Sequence, residues 1–299
     1  MREHTPLPAA LGTAFSTRAA IEAGTGYGRL RGADLLRPFH GVRATSAAEG
    51  LVDRCREYLP RMQDDEFFCS ATAALLHGIP LPLELEFDPP LHVAVPNPRR
   101  ARRAAGVIGH KFMVQPAHGE VVELDGLRVS SVERAWCELG PLLDLADLVA
   151  AGDQVIRPAN RLSSAARLRA VLERHPARRG REKLHQAFSL LDGSAESPPE
   201  SHLRLVFIGA GLRGFRVNYT VVIATSRRRR RIDIAFPREM VAFEYQGDHH
   251  RDPRQWRDDM TRVAELESMG WKVVFVNADD LRDPASLVAR TRAILATRA

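Results

Sequence analysis

Lysine is nearly missing from this chain: only Lys111, Lys183 and Lys272 stand among 43 basic residues, and the rest are arginine. Cysteine is scarce as well. Cys55, Cys69 and Cys137 are widely spaced with no Cys-x-x-Cys pair, so neither a disulfide framework nor a zinc ribbon is expected, and a reducing compartment fits. Met1-Arg-Glu-His-Thr-Pro lacks the apolar run of a signal peptide, and Asp144, Asp147 and Asp153 interrupt the apolar stretch Leu142–Ile156. The expectation is a soluble cytoplasmic protein with no membrane partner. No repeat or long low-complexity segment appears, which excludes solenoid and fibrous classes.

What is present is an ordinary globular composition. At 299 residues, 44% hydrophobic and 27% charged, the chain can bury substantial cores in two domains, or in one with a large appendage. Net charge is +6, and residues 196–299 hold 18 Lys and Arg against 14 Asp and Glu. A basic balance favours polyanionic partners. Arginine suits bidentate phosphate contacts, although a GC-rich genome produces the same bias.

The most informative segment is Arg231-Ile-Asp-Ile-Ala-Phe-Pro-Arg-Glu-Met-Val-Ala-Phe-Glu-Tyr-Gln246. A reversal at Arg238-Glu239 pairs Ala235 with Ala242, Asp233 with Glu244, and Arg231 with Gln246. The other face pairs Ile232 with Tyr245, Ile234 with Phe243 and Phe236 with Val241, the alternation of a half-buried strand pair. Opposed carboxylates have Cβ atoms about 5 Å apart and repel unless something positive compensates. A hard divalent cation would do so; so would solvent and neighbouring arginines at an exposed edge. A register slip of one residue would send the acids to opposite faces.

Beyond it follow Glu244-Tyr-Gln-Gly-Asp-His-His250, then Asp259 and Arg262 at helical spacing, then Gly270-Trp-Lys-Val-Val-Phe-Val276. Together with Asp233, this order resembles the DUF559 domains, relatives of the very short patch repair endonuclease in the PD-(D/E)XK, restriction-endonuclease-like superfamily. The resemblance covers roughly residues 195–295. It implies Asp233 as principal ligand of Mg²⁺, which Mn²⁺ can replace, with Glu244 as second acid and the Tyr245 carbonyl as third ligand. His250 matches a histidine of the pattern as a phosphate contact or proton-transfer group. Gln246 departs from it, standing where the superfamily usually has lysine; it can orient a water but supplies no charge. Glu200 matches the helical acid, yet Ser197-Pro-Pro-Glu200 is also a capping box. His249 reads as a surface residue.

The first two thirds carry a second resemblance. Ser16–Gly24 reads as a short capped helix, Arg29–Leu36 as a second, and Arg37-Pro-Phe-His-Gly-Val-Arg43 as a strand, a small helix-turn-helix with a wing. With the blocks Phe68–Pro80, Leu91–Pro96 and Leu127–Leu139, this order is similar to AbiEi-type antitoxins, DNA-binding regulators of two-component toxin and phage-defence systems. The resemblance implies DNA as partner and a toxin encoded nearby.

Arg29, Arg31, Arg37 and Arg43 near the wing, the Arg99–Arg103 run, and Arg227, Arg228, Arg229 and Arg231 before Asp233 are either phosphate contacts or solvated surface. Residues 140–190 read as helices Pro141–Ile156, Ser163–His175 and Arg181–Leu191, and Asp192–Pro199 as a linker. On helix 253–269, Trp256, Met260 and Val263 read as core, and Asp259 with Arg262 as a surface or buttressing pair.

The expected class is therefore α/β: a restriction-endonuclease-like mixed sheet flanked by helices over 193–299, an α+β winged-helix-like region over 1–60, and an α+β region with a helical connector over 61–192. The expected activity is metal-dependent DNA phosphodiester hydrolysis, in repair or phage defence. The alternative is a non-catalytic AbiEi-like repressor with a degenerate nuclease fold.

Overall fold

In the computed structural model, which describes residues 5–113, 119–176, 179–223, 227–247 and 253–298, and only the backbone of 253–259, the chain divides into two units. The first comprises Met1–Leu142 with Ala170–Arg179, the second Leu143–Arg169 with Gly180–Ala299.

In the first unit, Ser16 ends strand β1 (Ala14–Ser16) and accepts the Ala19 amide at 3.1 Å, starting helix α1 (Thr17–Glu22). The second helix expected over 29–36 is a single 3-10 turn, Arg29–Arg31. Gly32 closes that turn, and the Arg43 guanidinium takes the Leu30 carbonyl at 2.7 Å, so no further helical turn forms. Strand β2 (Val42–Ala44) pairs with β1. The helix-turn-helix expected here is thus reduced to one helix, a 3-10 turn and a two-stranded ribbon.

Next come α2 (Leu51–Tyr58), β3 (Phe67–Phe68), α3 (Ser70–Leu76), α4 (Leu83–Glu86), β4 (Leu91–Pro96), β5 (Arg103–Ala104), β6 (Val107–Phe112), β7 (Val121–Leu124), β8 (Leu127–Ser130) and α5 (Val132–Glu138). Their sheet is mixed, ordered β5-β6-β4-β3-β8-β7. Phe39, Val42 and Tyr58 share its core with Phe68, Val93 and Val129, whereas Phe15, Ala20, Leu30 and Leu35 form a smaller cluster of their own, with Leu7 and Leu11 packed against it. Two of the blocks quoted above meet at a buried polar knot. Arg134 lies between Glu138 (2.6 Å) and Glu120 (2.7 Å), and Glu138 accepts the Ser70 amide at 2.7 Å. Burying an arginine demands such pairing.

The second unit holds α6 (Leu145–Ile156), α8 (Arg181–Ser189), α9 (Pro198–Gly209), β9 (Arg216–Val222), β10 (Arg229–Phe236), β11 (Val241–Tyr245), α10 (Pro253–Ser268), β12 (Lys272–Val276), α11 (Ala278–Arg282) and α12 (Pro284–Ala296); helix α7 (Ala165–Arg174) straddles the division. The sheet is ordered β12-β11-β10-β9, antiparallel except for the β11–β12 pair. Helix α6, expected as connector, packs on α9. Its Asp153, fully buried, accepts Ser201 Oγ at 2.6 Å and Arg204 Nη2 at 2.8 Å.

The β10–β11 register is Ile234–Phe243, Ala235–Ala242 and Phe236–Val241, as the turn position predicts. Both faces of this hairpin are packed, whereas only one was expected to be. Ile234, Phe236 and Phe243 join Leu203, Phe207 and Leu287 of α9 and α12. Ala235 and Ala242 join Leu266 and Trp271, because α10 returns across the small-residue face. Among the described residues, no helix is long and apolar enough to cross a membrane.

Candidate functional site

Strand alternation fails at Asp233. Ile232 belongs to the core under α10, whereas Ile234 belongs to the core under α9. Strand β9 makes the same switch opposite, with Val217 on the α9 side and Tyr219 on the α10 side. Between those two, Asn218 has φ +51°, a left-handed conformation that asparagine tolerates better than most residues. The β9–β10 rungs run on either side of Asp233.

Asp233 therefore sits where the strands twist apart. The β10–β11 ladder stops at Ile234–Phe243, and one residue further the Asp233 Oδ2 accepts the Tyr245 amide at 2.8 Å. A side chain here replaces a main-chain rung. Burial pushes the Asp233 carboxyl up to about 6, with nearby Glu200 adding to the effect; the Tyr245 amide, Arg262 and Arg231 oppose it.

Glu244 is 1% exposed. It shares the α10 side of β11 with Ala242, and its Oε2 lies 2.8 Å from Nη2 of Arg262 on α10. The arginine expected to pair with Asp259 thus reaches Glu244; the Asp259 side chain lies outside the described residues. Glu200, also buried, accepts the Glu196 amide (2.8 Å), Ser197 Oγ (2.8 Å) and Asn218 Nδ2 (2.7 Å). Its oxygens tie down the segment before α9 and the Asn218 kink, but Ser197 makes no side-chain cap to α9 and the amide Glu200 accepts is that of Glu196, so the expected capping box is not formed.

Tyr245 packs its ring against the α9 core and presents its backbone to Asp233. Gln246, half-buried, donates its amide to the Val276 carbonyl at 2.7 Å, which fixes the chain just after the acids. His249 and His250 lie outside the described residues. Arg227, Arg228, Arg229 and Arg231 are exposed along the approach to Asp233, and Arg231 also pairs with Glu196.

In the first unit the arginines divide. Arg43 donates to the Leu30 and Val42 carbonyls, which gives it a role in the fold. Arg99 pairs with Asp65 and Arg102 with Glu66. Arg37 stays exposed, within 3.5 Å of the Arg31 carbonyl.

Among the described residues, no group of three or more His, Cys, Asp or Glu side chains is arranged to hold a metal. The donor chemistry of the pair still suits a hard cation. Asp233, Glu244 and the Tyr245 carbonyl are oxygen donors, and the Asp233 carboxyl is raised chiefly by burial, with Glu200 adding to it, a cost to the charged form that a bound cation would offset. Glu244 would have to share or exchange Arg262.

Sequence reading missed Asn218, Arg262 as the partner of Glu244, and Glu196. Only Asn218 left a signal: asparagine is depleted in strands and enriched at left-handed positions.

No family model matches the chain. It is similar to two proteins of Mycobacterium tuberculosis, "Uncharacterized protein Rv2248" of strain H37Rv and "Uncharacterized protein MT2308" of strain CDC 1551. Each is 28% identical over 264 residues, covering 88% of this chain and 93% of the relative. Among solved structures, the Rv2827c protein of the same species matches 70% of this chain and 83% of its own at 19% identity, with a TM-score of 0.40.

Proposed function

We propose that the second unit is a metal-dependent DNA endonuclease of the restriction-endonuclease-like type, acting in repair or phage defence. The observation that carries this reading is Asp233: a half-buried carboxylate with a raised pKa, set where the β10–β11 ladder ends, bonded to the Tyr245 amide next to Glu244 and at the end of an arginine run. A purely structural aspartate in that setting would gain by being neutral or paired.

Asp233 and Glu244, with the Tyr245 carbonyl, would hold Mg²⁺ or Mn²⁺. Bound there, the ion supplies charge neutralisation at the phosphoryl oxygens and lowers the pKa of a water. The chain's own groups do the rest. The Tyr245 amide fixes the Asp233 carboxylate, and Arg262 holds Glu244 in place before substrate arrives. Gln246 orients the attacking water, and Arg231 or His250 meets charge developing on the phosphate. Glu200 acts indirectly, by fixing Asn218.

The test is nicking of supercoiled and linear DNA in Mg²⁺ or Mn²⁺ by the wild type, Asp233→Ala and Glu244→Ala. Both variants should lose at least about two orders of magnitude in rate, the scale of several kcal/mol of charge stabilisation. Cleavage that persists in both removes this site from the chemistry.

One observation favours the second reading, a non-catalytic AbiEi-like repressor that only grips DNA. The Glu244–Arg262 ion pair neutralises the second acid internally, which no nuclease requires. Metal-independent duplex binding without cleavage by any variant supports it, as would a toxin encoded nearby.

A further inference from the structure

Strand β10 carries Arg229, Arg230 and Arg231 in succession, and its pleat sorts them onto two faces. Arg230 turns toward α10, where its Nε meets Glu265 Oε2 at 2.6 Å and its side chain is 22% exposed. Arg229 and Arg231 occupy the other face. Arg231 remains 54% exposed while paired with Glu196, just ahead of α9. Their rungs on β9 are Val222 and Thr220, both exposed, so nothing on the neighbouring strand covers them. Strand β9 is the edge strand of the sheet.

Alternate residues of a strand are about 6.7 Å apart. That repeat is comparable with the spacing of successive phosphates along one polynucleotide backbone, which carries one charge per nucleotide. Two residues beyond Arg231 stands Asp233. We propose that Arg229 and Arg231 form a rail that engages consecutive phosphates of a single polynucleotide strand and presents the next one at Asp233, whereas Arg230 belongs to the fold. This deepens the endonuclease reading and rests on it.

The experiment measures binding of the full-length chain to a labelled duplex and to its isolated single strand, in chelator, across a salt series. Arg229→Ala and Arg231→Ala should each flatten the dependence of log K on log salt, by about 0.9 on the duplex and about 0.7 on the single strand. Lysine at either position should restore the slope. Arg230→Ala should leave it unchanged while lowering Tm through loss of the Glu265 pair. Equal slope losses at 229, 230 and 231, or none at 229 and 231, overturn the rail. If the wild type binds neither DNA, the rail and the endonuclease reading fall together. If the odd-numbered pattern holds but no cleavage follows in Mg²⁺, only the endonuclease reading falls.

Discussion

Asp233 is ionised at neutral pH against the preference of its surroundings, because burial beside Glu200 holds its folded pKa near 6 against an ordinary value of 3.8. A raised folded value means the fold favours the protonated form. The associated stability is complete below about pH 4 and is lost as pH rises through 6, a difference on the order of 1–3 kcal/mol. Asparagine keeps an oxygen for the Tyr245 amide without the charge. Asp233→Asn should therefore be more stable than wild type at pH 7.5 in chelator by that amount, and equally stable near pH 4, as read by urea denaturation. A variant that is less stable at pH 7.5 contradicts the burial argument. The two acids were legible because each stands at a polar position in an alternating apolar run. Their surroundings were not: Arg262 is distant in sequence from Glu244, and only the return of α10 brings them together.

At the scale of elements, the hairpin register was readable because turn position and alternation fix it together. The break in alternation at Asp233 was hidden, since its cause sits on the neighbouring strand. Asn218 adopts φ +51° and donates to the Ser194 carbonyl at 2.6 Å and to Glu200 at 2.7 Å. Asn218→Gly loses both bonds but keeps the backbone at no steric cost, whereas Asn218→Ala also pays for the left-handed conformation. The lost bonds, one of them to a carboxylate, should destabilise either variant by about 1–3 kcal/mol. Alanine should lie about 1 kcal/mol below glycine. Identical denaturation midpoints for the two would show that the kink imposes no backbone demand. The same dependence on context explains the shortened second helix near the N-terminus: the capping signal at Ser16 was local and visible, but the Arg43 side chain that takes the Leu30 carbonyl comes from the next strand.

At the scale of the molecule, α/β character was legible from period-two runs alternating with helical ones, but the boundaries of the units were not. Asp192–Pro199 has the composition of a linker, and that composition reflects a turn and a helix start rather than a division between cores. The contacts that cross it are buried and polar. Asp153 of α6 accepts the Asp192 amide at 2.6 Å as well as Ser201 and Arg204, and Gln154 donates to the Ala195 carbonyl at 3.2 Å. Arg204 is 4% exposed. Removing Asp153 leaves a buried guanidinium unpaired, a loss of about 3–5 kcal/mol, against a typical total stability of about 5–15 kcal/mol for a domain. A fragment spanning 193–299 should therefore fail to unfold cooperatively, while one spanning 143–299 should show a single sharp transition. In the longer fragment, Asp153→Ala should move that transition most of the way toward the shorter one. Cooperative unfolding of 193–299 at the midpoint of 143–299 would mean that α6 is dispensable and that the sheet with α9–α12 is stable by itself.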